Sequence, residues 1–178
     1  MTTPLPRRLV LIRHAKATQG GIDADRPLAE RGVADAVAIG RWLAEQSLLP
    51  DRVVVSPARR ASQTWQLACA ELGAELGAAA EPVVDERVYD NTLGDLLRIV
   101  RESPPSVHTL ALIGHNPSIA ELASVLDDRH GESAARQEFA QKYPTSGIAV
   151  FELGIEWELV DFGTGTLRHF AAPRGPAG

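Results

Sequence analysis

A chain of 178 residues with 44% hydrophobic and 23% charged content has the length and make-up of one ordinary globular domain, which excludes fibrous, low-complexity and wholly disordered classes. Its net charge of -5 argues against a general affinity for nucleic acid or anionic lipid, so any anion it binds must be drawn by local cations against the field of the whole molecule. A single cysteine, Cys69, excludes an internal disulfide, and its place among Trp65, Leu67, Ala68 and Leu72 suits a buried helix position.

Near the start, Arg7 and Arg8 precede the apolar run Leu9, Val10, Leu11 and Ile12. Four apolar residues stopped by Arg13 are too few for a signal-peptide core or a membrane span, so the expected location is the cytoplasm, with no membrane partner. The run reads as a fully buried strand, as do residues 53–55 and 109–113. Between the first two, residues 30–46 set Val33, Val37, Trp42 and Leu43 on a helical stripe. Ala29 stands where a Ser or Thr cap is expected. Residues 57–73 form a second helix with Ala61, Trp65, Ala68 and Leu72 inward and Gly73 placed to end it.

Further along, Val83 and Val84 make a short strand, residues 92–102 a helix, and residues 117–126 another with Ile119, Leu122, Ala123 and Leu126 inward. The polar segment 127–142 reads as a solvated excursion with room for a short helix on the rim of a site; whether it gates that site is left open. After Pro144, residues 148–153 and 157–162, separated by Gly154, read as an antiparallel pair, with a last short strand at 167–170. Residues 1–7 and 173–178 are expected to fray. The alternation predicts a single α/β domain over residues 1–178, a three-layer α/β/α sandwich with a mostly parallel central sheet and an antiparallel C-terminal addition.

Three strand ends carry chemistry. The first strand stops on Arg13 and His14, delivering a cation and an imidazole to the carboxyl edge of the sheet, where open α/β folds bind their ligands. The second runs into Ser56, Pro57, Ala58, Arg59 and Arg60. Serine suits a helix cap and proline a first helical position, which puts Arg59 and Arg60 in the first turn, where the helix dipole disfavours cations unless an anion sits in front of them. Successive helical residues diverge, so one arginine faces the ligand. The third strand runs into Gly114, His115, Asn116 and Pro117, with Asn116 and Pro117 suited to open the next helix and His115 left at the edge. Each end taken alone is compatible with a solvated or structural role; all three at one edge indicate a phosphate site.

The ordered set resembles the histidine phosphatase superfamily, the phosphoglycerate-mutase-like proteins marked by Arg-His-Gly or Arg-His-Ala after the first strand, here Arg13-His14-Ala15. The correspondence continues through Asp25-Arg26-Pro27-Leu28 with Arg31-Gly32, then Ser56 to Ala61 with Gln63-Thr64, then Gly114-His115-Asn116-Pro117, and spans nearly the whole chain. The compact length and the Arg-Pro-Leu segment resemble the SixA-like phosphohistidine phosphatases. The resemblance implies that His14 is the nucleophile, that Arg13, Arg60 and His115 bind phosphoryl oxygens, and that Arg59 is a variable position. Physical chemistry agrees: a neutral imidazole splits one difficult displacement into two easier ones, and fixed cations stabilise equatorial charge. Such a mechanism needs no cofactor and no metal, and His108, His130 and His169 lack ligand spacing.

Two departures narrow the expectation. Ester-directed branches resemble one another in having an Asp after the second histidine or a Glu in a loop after the second helix, whereas Asn116 follows His115 here. Glu86 and Asp90 are the only loop candidates for a general acid. An alcohol leaving group needs a proton, while an imidazole with a reference pKa of ~6.5 leaves with little help. The expected substrate is therefore a phosphohistidine-bearing protein, the alternatives being a small phosphorylated metabolite or a non-catalytic module that binds a phosphorylated ligand. Lys16 is expected to add positive potential at the mouth, and Arg26 either lines the entrance or pairs with Asp23 or Asp25.

Overall fold

The computed structural model describes residues 5–73, 75–76 and 81–176. Among these, six strands form one sheet: β1 (Arg7–Arg13), β2 (Arg52–Val55), β3 (Val83–Val84), β4 (Thr109–Gly114), β5 (Ile148–Leu153) and β6 (Gly165–Ala171), in the spatial order β3-β2-β4-β1-β5-β6. Strands β1 to β4 are parallel, and β5 and β6 run antiparallel to their neighbours. Alternation along each strand sorts the core into two halves. Leu9, Leu11, Leu110, Leu112 and Phe151 face one way, against α3 (Leu93–Arg101), α4 (Ser118–Leu126) and Ala135 of α5 (Ser133–Gln141). Val10, Ile12, Val53, Val55 and Ile113 face the other, against α1 (Glu30–Glu45) and α2 (Arg59–Leu72). A sheet covered on both faces explains the unbroken apolar runs, and the three-layer α/β/α architecture is the one expected. No helix among the described residues is long and apolar enough to cross a membrane.

Several local expectations are corrected. Residues 157–162 are not a strand: Trp157–Leu159 is a 3-10 turn, and the hairpin partner of β5 is β6. Trp157 and Val160 are buried, the Trp157 indole N–H donating to the Val107 carbonyl at 2.8 Å, while Leu159 and Phe162 are exposed; burial three residues apart is not the alternation that sustains a ladder. On α1 the buried face is Gly32, Asp35, Ala36, Ile39, Gly40 and Leu43, and Val33 is exposed. The apolar stripe misled because the seam with α2 is made of small residues: a Cβ on Gly40 would lie 2.3 Å from the Ala68 carbonyl oxygen.

Two helix starts also differ. α2 begins at Arg59 after Ala58, and α4 at Ser118 after Pro117, neither with a side-chain cap. Ser56 and Asn116 are drawn into other bonds described below. Cys69 is only partly buried, and burial pushes its thiol up. Where fraying is expected, Arg7 already belongs to β1. At the other end Arg174 and the Gly175 N–H are held by the buried carboxylate of Asp35 on α1.

Candidate active site

Register assembles the site. β4 lies between β1 and β2, with Arg13 paired to Gly114 and Val55 to Ile113. The next residue on each outer strand turns toward the middle one: His14 donates its N–H to the Gly114 carbonyl at 3.0 Å and Ser56 to Ile113 at 3.1 Å. His14, Ser56 and His115 therefore emerge side by side at the carboxyl edge. A Cβ on Gly114 would come within 2.9 Å of Val88, so glycine lets the 3-10 turn Glu86–Val88 close over the strand end and bring Tyr89 edge-on to His115, with ring centroids 5.6 Å apart.

His14 is 9% exposed. Its Nδ1 lies 2.7 Å from the Ala15 carbonyl oxygen, an acceptor, so Nδ1 carries the proton and Nε2 the lone pair. Arg60 Nε donates to that Nε2 at 3.3 Å. The Ala15 residue that fixes the tautomer is itself fixed, its N–H donating to Thr64 Oγ1 at 3.0 Å while the Thr64 hydroxyl donates to the Arg60 carbonyl at 2.7 Å. Gly32 packs against the same loop so closely that a Cβ would lie 2.0 Å from the Lys16 carbonyl oxygen. Ser146, in the left-handed region at φ 63°, donates its N–H to the His14 carbonyl.

Burial lowers the His14 imidazole to about 4; the Ala15 hydrogen bond opposes this, and the charges of Arg60, Arg13 and Arg26 add to it. Burial likewise lowers His115 to about 3, with His14 and Arg60 contributing. The two rings are 5.1 Å apart between centroids, and both are neutral at pH 7 in this arrangement. His115 Nε2 shares a 2.7 Å hydrogen bond with Ser56 Oγ, which also accepts the Ala58 N–H.

Arg60 is buried, donating Nη1 to the Asp23 carbonyl at 2.7 Å and Nη2 to the Asp23 carboxylate at 3.1 Å. Arg13 donates Nη1 to the Tyr143 carbonyl, which also takes Asn116 Nδ2, and the Tyr143 hydroxyl donates to the Leu11 carbonyl. The end of the 127–142 segment thus leads into the site's supporting backbone. Arg13 Nε, His115 Nδ1, Asn116 Oδ1 and Ser146 Oγ are buried without a partner among the described residues. Such atoms each cost about 1–3 kcal/mol unless something supplies the missing hydrogen bond.

The structure thus brings together Arg13, His14, Arg60 and His115. Arg26 pairs with Asp23 at 2.8 Å, which is one of the two placements expected for it. Lys16 is exposed and is not among the cations acting on His14. Glu86 and Asp90 are exposed, and neither side chain hydrogen-bonds to a described residue. Sequence reasoning missed Asp23 as the partner of Arg60, Ser56 as the partner of His115, and Tyr89 and Tyr143 altogether. Ser56 and Thr64 lay inside recognised motifs; nothing in the sequence singled out the tyrosines. Among the described residues no group of three or more His, Cys, Asp or Glu is placed to hold a metal ion.

Comparison with known proteins follows the same lines. The profile described as "Histidine phosphatase superfamily (branch 1)" matches residues 9–151. An uncharacterized protein of Mycobacterium tuberculosis is 37% identical over 166 residues, covering 92% of this chain and all of its own. Among solved structures, a SixA phosphohistidine-phosphatase candidate from Nakamurella multipartitia superposes with a TM-score of 0.80 at 27% identity, covering 94% of this chain and 96% of that one. The protein histidine phosphatase SixA complexed with tungstate gives 0.71 at 25% identity, over 93% and 97% of the two chains.

Proposed function

Because the chain belongs to branch 1 of the histidine phosphatase superfamily and is a SixA-like hydrolase, we propose that it removes phosphoryl groups from phosphohistidine on proteins through a covalent intermediate on His14. One observation carries the reading: the Nδ1–H bond to the Ala15 carbonyl leaves Nε2 of a neutral imidazole as the free base, beside the buried guanidinium of Arg60. In the first step Nε2 bonds to phosphorus as the bond to the leaving nitrogen breaks and its electron pair departs with that nitrogen. Arg13, Arg60 and His115 stabilise charge on the equatorial oxygens. In the second step water attacks the phosphohistidine, the electron pair of the breaking phosphorus–nitrogen bond returns to Nε2, the water's oxygen and both of its protons leave as dihydrogen phosphate, and neutral His14 is restored. A tetrahedral oxyanion, tungstate, is bound in one SixA structure of the same fold, which supports an oxyanion site here.

The exposed, unbonded state of Glu86 and Asp90 favours a substrate whose leaving group needs no strong acid, which is the chemistry of a phosphorus–nitrogen bond. The test is transfer of labelled phosphate from a phosphohistidine protein. Label on His14 in an acid-labile, alkali-stable linkage is expected, and full hydrolysis by His14→Ala would refute the mechanism.

A further inference from the structure

Asp23 opens the 3-10 turn Asp23–Asp25, and its carboxylate is held from three sides. Oδ2 accepts from the Tyr89 hydroxyl at 2.6 Å and from Arg60 Nη2 at 3.1 Å; Oδ1 accepts from Arg26 Nη2 at 2.8 Å and Nε at 3.2 Å. The Tyr89 hydrogen bond, followed by those of Arg60 and Arg26, keeps this carboxyl far below the usual carboxylate range, so it is a standing anion. Side-chain exposure rises from 6% at Arg60 to 54% at Asp23. The carboxylate therefore lies between the buried guanidinium and solvent.

We propose that Asp23 is a specificity-determining residue that selects nitrogen-linked phosphoryl groups, by accepting the ring N–H of the leaving imidazole. The proposal rests on the reading of His14 as phosphoryl acceptor. When a phosphoryl group binds, its oxygens take the Arg60 N–H groups that Asp23 otherwise holds. The carboxylate, still moored by Arg26 and Tyr89, is then free to meet the substrate ring.

The chemistry of that ring makes such an acceptor useful. Protonation at the ring nitrogen not bonded to phosphorus turns the substrate into a phosphoimidazolium. As His14 Nε2 bonds to phosphorus, the electron pair of the breaking bond returns to the leaving nitrogen, and the ring departs neutral with its proton on the other nitrogen. No proton has to be delivered to the breaking bond. What helps is an anion that holds the distal N–H, through a charge-assisted hydrogen bond. The same anion works against an ester, because a leaving oxygen gathers negative charge beside it and an ionised carboxylate has no proton to give.

The test compares kcat/KM on phosphoimidazole and on phenyl phosphate for the wild type, Asp23→Asn and Asp23→Glu. Loss of one hydrogen bond to a charged group predicts that Asp23→Asn lowers kcat/KM on phosphoimidazole by about tenfold or more. It should raise kcat/KM on phenyl phosphate, and Asp23→Glu, which keeps the charge, should retain the preference for phosphoimidazole. Equal losses on both substrates in Asp23→Asn would show that the residue acts only by placing Arg60; this overturns the proposal and leaves phosphoryl transfer through His14 standing. A wild type that takes no phosphoryl group onto His14 from either compound would overturn the parent reading and the proposal together.

Discussion

Arg60 donates its Nε–H to the Nε2 lone pair of His14 across 3.3 Å. The nitrogen proposed to attack phosphorus and the cation proposed to bind the phosphoryl group are thus paired with each other, and Asp23 holds the rest of the guanidinium. In the proposed mechanism an incoming phosphoryl group draws Arg60 off Nε2 before that nitrogen reacts. On that mechanism the pairing would couple binding to activation of the nucleophile, since the ligand that needs the cation is the one that frees the base.

Replacing Arg60 tests that coupling. Arg60→Ala is expected to lower the rate of His14 phosphorylation by about 10²–10³, the usual cost of removing a fixed donor to developing charge. Arg60→Lys should recover little, because a single ammonium cannot span the phosphoryl oxygens as a guanidinium fork does. Single-turnover kinetics with phosphoimidazole measure both; a lysine variant at wild-type rate would show that charge alone suffices.

Acid should affect stability before it affects the neutral nucleophile. His14 and His115 bind protons less readily in the folded chain than in the unfolded one, where the reference is 6.5. The unfolded state therefore takes up more protons below that pH, and stability is full above pH 6.5 and lost as pH falls toward 4. For His14 the drop from 6.5 to about 4 corresponds to ~3 kcal/mol. Urea titrations at pH 7 and pH 4.5 should show the loss, and it should shrink in His115→Phe. Ring resonances of His14 and His115 should titrate below pH 5 in the free protein.

Ser56→Ala removes the hydroxyl shared by His115 Nε2 and the Ala58 N–H. With Ser56 fully buried, two polar groups lose their partner at a cost of about 1–3 kcal/mol in unfolding free energy. Turnover should fall as well, because His115 then has no described hydrogen-bond partner on either ring nitrogen. A variant that is destabilised yet turns over normally would mean that Ser56 serves the helix start alone.

Two glycine substitutions should have opposite signs. Gly32→Ala drives a methyl to 2.0 Å from the Lys16 carbonyl oxygen, backbone against backbone, so it should cost about 1–3 kcal/mol or more and displace the loop behind His14. Gly94→Ala on α3 meets nothing nearer than Thr92 Oγ1 at 3.6 Å and should stabilise by up to about 1 kcal/mol through better helix propensity. Thermal melts of the pair, with kcat beside them, separate a local packing clash from a general sensitivity to added volume.

The chain by itself determined the layered α/β class, the mostly parallel sheet and the meeting of Arg13, His14 and His115 with one of Arg59 and Arg60 at one sheet edge, the choice of Arg60 coming from the family resemblance. Those depend on local signals: unbroken buried runs, helical periodicity and residues at the ends of strands whose direction follows from alternation. The same signals failed at residues 157–162, where Trp157 and Val160 are buried three residues apart around a 3-10 turn and make no ladder, and on α1, where the seam is glycine and alanine rather than valine. Only the tertiary structure decided that Asp23 holds Arg60, that Tyr89 lies over His115, and that Ser56 serves His115. Asp23 and Arg60 are 37 residues apart, and their contact depends on how a loop folds back over a helix. A carboxylate in a loop carries no mark of the guanidinium it will meet; packing chooses it.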